Sequence, residues 1–218
     1  MSLAIFDLDN TLIAGDSDHG WGEFLIERGH VSAEEHKHRN DGFYQDYQNG
    51  TLDIREYLEF ALAPLSRFDM SKLDELHSDF MREKIEPIIL NKGLELIERH
   101  QQAGDTLLII TATNSFVTKA IAKRLGIDNI LASEAEIKNG RYTGKPIGTP
   151  TFQEGKVERL NEWLGTAGES LKGSYFYSDS ANDLPLLEQV DNPFAVDPDE
   201  RLSQIAQARS WPIISLRR

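Results

Sequence analysis

Four apolar residues run straight into a pair of acids: Leu3-Ala4-Ile5-Phe6-Asp7-Leu8-Asp9-Asn10-Thr11-Leu12. An uninterrupted apolar run that ends in an acid is how a strand buried on both faces reads as it reaches the edge of its sheet. Such a strand needs cover on both sides, which confines the chain to layered α/β architectures. Side chains alternate along a strand, so Asp7 and Asp9 leave on the same side. Two carboxylates held that close do not both ionise comfortably without a cation between them. The pair asks for a metal, or for one acid that keeps its proton. The same residues also suit an ordinary capped turn, with Thr11 as the cap. The rest of the chain decides between these readings.

Beyond this strand, residues 15–86 carry helical signals only. Trp21, Phe24 and Leu25 share one face of a helix over Asp18–Glu27, which Gly29 can end. Ser32-x-x-Glu35 is a capping-box pattern for a second helix that stops at Gly50. Asp53-x-x-Glu56 opens a third, ended by Pro64. Ser71 can cap a fourth, with Leu73, Leu76, Phe80 and Met81 at helical spacing. From Ile88 the pattern changes to alternating helix and strand. Apolar strands read at Thr106–Thr111, Ile130–Ala132, Ser174–Ser178, Phe194–Val196 and Ile213–Ile214. Asn139-Gly140 marks a hairpin. This alternation predicts a doubly wound, Rossmann-like parallel sheet with a small helical bundle inserted after its first strand. The α/β core is expected over residues 1–14 and 87–218, and the helical cap over residues 15–86.

In such sheets the ligand site lies outside the carboxyl ends of the strands. Three strand ends here carry chemistry: Asp7 and Asp9; Thr111-Ala112-Thr113-Asn114; and Asp179-Ser180-Ala181-Asn182-Asp183. Gly155-Lys156 opens a helix between the last two. Singly, each is an ordinary cap, turn or solvated lysine. Together they set four carboxylates, a hydroxyl and one ammonium along one edge. That many acids repel unless a divalent cation holds them, and oxygen ligands without His or Cys favour Mg²⁺.

Charge and composition narrow the partners. Lys plus Arg is 23 against 36 Asp plus Glu, a net charge of −13. That balance argues against nucleic acid and anionic membrane surfaces as main partners, but not against a small phosphorylated metabolite. With no cysteine, neither a disulfide nor a thiolate metal site can form. No apolar run approaches the ~20 residues of a membrane span, and the start lacks a basic, apolar leader, so a cytoplasmic location is expected.

The ordered motifs resemble those of the haloacid dehalogenase superfamily of aspartate-nucleophile phosphatases. Asp7-Leu8-Asp9-Asn10-Thr11 matches its D-x-D-x-T motif, Thr111 its Ser/Thr strand end, and Lys156 its lysine. Ser178-Asp179-Ser180-Ala181-Asn182-Asp183 matches its acidic G-D-x-x-N-D loop, with Ser178 in place of Gly. The insert resembles the C1-type cap of the phosphoserine phosphatase-like branch. The resemblance implies that Asp7 attacks phosphorus and forms an aspartyl-phosphate, splitting a very slow hydrolysis into two steps. It implies that Asp9 protonates the leaving alkoxide and then activates water. Mg²⁺ would sit on Asp7, Asp179 and the Asp9 backbone carbonyl, with Asn182 and Asp183 supporting it. Thr111 and Lys156 would hold the phosphoryl oxygens. A receiver-like signalling domain has no second acid at the position of Asp9 and no cap. A P-type ATPase domain has Lys there. A phosphotransferase to an alcohol stays open.

The cap should read the leaving group. Residues 15–86 hold 8 Lys plus Arg and 17 Asp plus Glu. Asp16 and Asp18 are expected to face the pocket, joining Thr111, Ala112, Lys156 and Asn182 as substrate contacts. Phosphoserine phosphatases carry an Arg in the third cap helix for the substrate carboxylate, whereas Leu58-Glu59-Phe60-Ala61-Leu62 has no basic residue. An unpartnered carboxylate would be costly there. Histidinol phosphate, an intermediate of histidine biosynthesis with an amine and an imidazole but no carboxylate, fits better. Phosphoserine is the alternative. Trp21, Phe24 or Phe43 could stack on the ring. The cap histidines His19, His30, His36, His38 and His77 are expected at solvated helix positions and not as metal ligands.

Overall fold

The computed structural model describes residues 2–217, the Glu35 side chain excepted. Strands β1 (Leu3–Phe6), β2 (Thr106–Asn114), β3 (Asn129–Lys138), β4 (Arg141–Ile147), β5 (Tyr175–Ser178), β6 (Asn192–Val196) and β7 (Ile213–Ile214) form one sheet. Its order is β4-β3-β2-β1-β5-β6-β7. Neighbouring strands are parallel except β3 and β4. That pair is the hairpin marked by Asn139-Gly140, whose φ angles of 52° and 74° are the two positive values a tight hairpin turn needs. The hairpin prolongs β3 well past Ala132, where the apolar run ends.

The helices are α1 (Ser17–Glu27), α2 (Ala33–Asn49), α3 (Ile54–Leu62), α4 (Met70–Phe80), α5 (Asn91–Ala103), α6 (Ser115–Arg124), α7 (Glu154–Ala167), α8 (Leu184–Leu187) and α9 (Glu200–Ala208). Strand β1 shows why they cover both faces. Ala4 and Phe6 join one core with Phe24, Leu58, Phe80, Ile97 and Ile121. Leu3 and Ile5 join another with Leu160, Leu186 and Leu202. Each large side chain so buried contributes roughly 1.5–3 kcal/mol. The alternation of one strand thus divides the helices into two layers.

Helices α1–α4 leave and rejoin the sheet through a narrow neck. Ile13 bridges Ile89 in antiparallel fashion. Ala14 N–H donates to the Ile88 carbonyl at 2.7 Å, and Leu90 N–H to the Leu12 carbonyl at 3.2 Å. Asp16, Asp53 and Asp69 cap α1, α3 and α4 through their carboxylates. Ser71 therefore lies inside α4 and is not its cap: Asp69, two residues earlier, accepts from Lys72 N–H at 2.8 Å. Ser32 stands at the N-cap of α2 without a side-chain capping bond among the described residues. Its expected partner, the Glu35 side chain, lies outside them.

Candidate active site

Strand β1 is central, with β2 on one side and β5 on the other. The chain runs outward in opposite directions from this point, and the split opens a crevice beyond the strand ends. Asp7 leaves β1 into that crevice. The turn that follows depends on Asn10, whose φ of 58° is the left-handed conformation that Asn tolerates better than most residues. Leu12 N–H then returns to the Leu8 carbonyl at 2.9 Å and Asn10 N–H reaches the Gly15 carbonyl at 2.9 Å. These bonds fold Thr11 back beneath Asp7.

The three strand ends meet. Lys156, in the first turn of α7, is 2% exposed and donates to Asp7 Oδ1 at 2.8 Å. It also pairs with Asp183 Oδ1 at 2.6 Å. The second Asp183 oxygen accepts from Ser178 Oγ at 2.7 Å, and Ser178 Oγ accepts from Ser180 N–H at 3.1 Å. Ser178, where the resemblance expects Gly, thus holds the acidic loop together. Thr11 Oγ1 lies 3.4 Å from Asp7 Oδ2 and 3.3 Å from Asp179 Oδ1, so those carboxylates flank one hydroxyl. Asp9 takes a different course. Its Oδ1 accepts from Ser17 N–H at 2.6 Å, at the positive end of α1. Its Oδ2 accepts from Thr113 Oγ1 at 2.8 Å and lies 3.4 Å from Thr111 Oγ1.

Burial leaves this edge with too much negative charge. It pushes the Asp7 carboxyl up; Lys156 pulls it back, while Asp183 and Asp9 push it further. Asp179 is raised well above the usual carboxylate range by burial and by Asp7 and Asp183. Lys156 resists burial because Asp183 and Asp7 hold its proton. One ammonium serves three carboxylates, so a further cation would relieve the excess. Among the described residues, no three His, Asp or Glu side chains could hold an ion by themselves. Both Asp183 oxygens are committed to Lys156 and Ser178, and the Asp9 carboxylate to α1 and the threonines. Asp7, Asp179 and the Asp9 carbonyl remain. An all-oxygen set with few protein ligands fits a hard cation that keeps several waters, as Mg²⁺ does.

Above this edge lies a pocket. Asp7, Asp9, Thr111, Ala112 and Thr113 form its floor. Asp16 and His19 of the first loop and helix, Asn40, Phe43, Tyr44 and Tyr47 of α2, and Leu52, Ile54 and Tyr57 form the walls. Among the described residues, no Lys or Arg lines it. Burial and the nearby Asp9 raise the Asp16 carboxyl, against backbone N–H bonds and His19 that lower it. Burial, then the charges of Asp179, Asp183 and Asp7, hold the Tyr47 phenol well above its ordinary value.

Asp18 does not line this pocket. It is 5% exposed, accepts from Asn114 Nδ2 at 3.0 Å, and faces a smaller internal cavity beside Trp21 and His36. Burial and Asp16 raise its carboxyl to about 8. Trp21 and Phe24 are core; Phe43 alone of the three aromatics reaches the pocket. Asn182 is engaged by protein, donating to the Tyr47 carbonyl at 2.8 Å. The expectation that the cap histidines are solvated fails at two positions. His36 is buried and stacks on Phe60 at 4.5 Å, and His77 Nε2 bonds the Val117 carbonyl at 3.1 Å. Burial lowers the pKa of both. Thr113, not among the expected site residues, also joins the site, and its place two residues after Thr111 on one strand face is a usable signal. Asn40, Tyr44, Tyr47 and Tyr57 join the pocket as well, and no motif marks them.

Comparison with known proteins places this geometry in context. The family model of haloacid dehalogenase-like hydrolases matches residues 4–188. A histidinol-phosphatase of Neisseria meningitidis serogroup C (strain 8013) is 49% identical over 220 residues, covering 99% of each chain. A solved structure of a protein of unknown function from Bordetella pertussis Tohama I superposes with a TM-score of 0.92 at 43% identity, covering 99% of this chain and 98% of that one. A phospho-aspartyl intermediate analogue of phosphoserine phosphatase shares the fold at a TM-score of 0.72 and 17% identity, covering 100% and 94%. Among the described residues, no helix is long and apolar enough to cross a membrane.

Proposed function

The chain belongs to the haloacid dehalogenase-like hydrolases, and on that premise we propose that it is a Mg²⁺-dependent phosphomonoesterase whose preferred substrate is histidinol phosphate. Asp7 is the nucleophile, with its Oδ1 oriented by Lys156 and its backbone N–H bonded to the Tyr177 carbonyl at 2.9 Å. Its attack on phosphorus forms an aspartyl-phosphate and releases the alkoxide. Asp9, held by Ser17 N–H and Thr113 Oγ1, gives that alkoxide a proton and later takes one from water. Thr111 stabilises the phosphoryl oxygens from the pocket floor, and Lys156, outside the pocket lining and bound to Asp7 Oδ1, adds its positive charge through that contact. Mg²⁺ would be held by Asp7, Asp179 and the Asp9 carbonyl, with Asp183 steadying the set through Lys156. When bound, it offsets the repulsion between an anionic nucleophile and an anionic phosphate. Helices α1–α4 act as the cap that encloses the leaving group.

One observation carries the substrate: the pocket wall combines Asp16 with aromatic rings and lacks Lys and Arg. An amine and an imidazole meet an acid and rings there. A phosphoserine carboxylate meets acids without a basic partner. The activity of the meningococcal relative supports the same reading. The test is phosphate release from histidinol phosphate with and without Mg²⁺, against a panel of metabolite monoesters. We expect Mg²⁺-dependent release that is fastest for histidinol phosphate. Release from none of the monoesters would remove the phosphatase reading. Faster release from a carboxylate-bearing ester would remove only the substrate.

A further inference from the structure

Gln153 precedes α7 in a conformation that its side chain does not favour. Its φ of 48° and ψ of −121° lie in a region that glycine enters freely and other residues enter under strain. Strain of this kind persists where the surroundings impose it, and it gathers at functional sites. Here it aims an amide. Gln153 Nε2 donates to Asn182 Oδ1 at 3.3 Å, which orients the Asn182 amide so that Nδ2 donates to the Tyr47 carbonyl at 2.8 Å. Tyr47 lies in the last turn of α2, the helix that supplies Asn40, Phe43 and Tyr44 to the pocket wall. The next residue in contact agrees: a Cβ on Gly50, the αL cap of α2, would lie 3.5 Å from Asn182 Oδ1 and 2.8 Å from Arg201 Nη1. Helix α2 therefore ends directly on the acidic loop of the core.

We propose that Gln153 is a positioning residue that latches α2 over the pocket through Asn182. The relay Gln153–Asn182–Tyr47 ties the pocket wall to two parts of the catalytic edge, the turn before Lys156 and the loop that carries Asp179 and Asp183. The opposite side of the insert is held differently, by the β3–β4 hairpin, where a Cβ on Gly144 would come within 3.2 Å of Ala63 Cα. Opening the pocket from the latch side breaks the Asn182 bond to the Tyr47 main-chain carbonyl and parts the Tyr47 side chain from Ser180 and from the Phe152 ring 6.0 Å away. Closing it restores the wall that reads the leaving group. Gln153 touches neither the phosphoryl group nor the attacking oxygen, so its effect falls on substrates whose leaving group uses that wall.

This proposal rests on the phosphatase reading, and its test separates the two. In Gln153→Gly the amide is lost and the backbone strain is relieved. A structural role predicts stability and activity moving together; a latch predicts opposite signs. We expect Tm to rise by about 2–4 °C, while kcat/KM for histidinol phosphate falls about tenfold, mostly through KM. Turnover of methyl phosphate, whose leaving group has neither a ring nor a charge to meet that wall, should stay within about twofold. Amides at the end of α2 should exchange faster with deuterium. Gln153→Ala, which keeps the strain and loses the amide, should show the same kinetic loss without the Tm gain. An equal loss on both substrates, or unchanged exchange at α2, would overturn the latch. If the wild-type chain hydrolyses neither ester, the phosphatase reading fails and the exchange result alone decides the latch.

Discussion

At the sheet edge, Asp7, Lys156 and Asp183 are held at 2.6–2.8 Å and almost sealed from water. Across the pocket, Asp16, Phe43 and Tyr44 stand on a loop and a helix whose neighbours are mostly exposed, Tyr44 itself 38%. The first region is over-determined: each side chain has its partner fixed by a strand, a turn or a second charge. The second is held by packing along helices, by the capping bonds of Asp16 and by the polar relay at the end of α2. The contrast explains a division of labour. Attack on phosphorus tolerates little displacement, and the groups proposed for it come from the rigid end of a sheet. Choice of leaving group needs only a wall of suitable chemistry, and a wall on helices can change residue by residue without disturbing the edge.

The largest effect should come from the edge. Asp7→Asn keeps the size of the side chain and removes the proposed nucleophile. Phosphate release should fall by at least about 1,000-fold for every ester, bulky or small, with an unchanged circular dichroism spectrum. Retention of activity on any one ester would break the distinction between the regions. The wall should respond selectively. Asp16→Asn keeps the N-cap of α1, because Asn caps as well as Asp. We expect KM for histidinol phosphate to rise about 10–100-fold, the worth of one charge-assisted hydrogen bond. p-Nitrophenyl phosphate should be nearly unaffected.

The smallest effect is one of stability. Asp18 titrates at about 8 in the folded protein, against about 4 for an ordinary carboxyl. The fold favours the neutral acid, so its contribution is whole below the ordinary value and is lost as pH rises through about 8. Asp18→Asn stays neutral and can still accept from Asn114. The variant should therefore be more stable than wild type, with a Tm gap that widens between about pH 5 and pH 8. A gap independent of pH would show that Asp18 is ionised within the fold.

The same division decides what the amino-acid order reveals. The edge is legible because strand ends are local: Asp7 and Asp9 follow an apolar run, and Asp179 and Asp183 follow another. Lys156 is legible as the base that opens the helix between the strand ends at Thr111 and Asp179. The wall is not. Helix α2 is polar around much of its surface, so nothing in its spacing marks Asn40 or Tyr44 as inward. Asp16 and Asp18 look equivalent, yet Asp18 turns toward Asn114 because residues two apart on a helix face different ways. The cap of α4 moves from Ser71 to Asp69 because an aspartate two residues earlier is free to take that place. The φ of Gln153 has no sequence signature, since Gln is among the residues least expected there.

The account turns on whether the wall rejects a carboxylate and accepts a cationic ring, and the ratio of kcat/KM for histidinol phosphate to that for phosphoserine, measured in one Mg²⁺ buffer, reads this directly. The account predicts a ratio of about 100 or more, the cost of one buried unpaired charge. A ratio of one or less would contradict it.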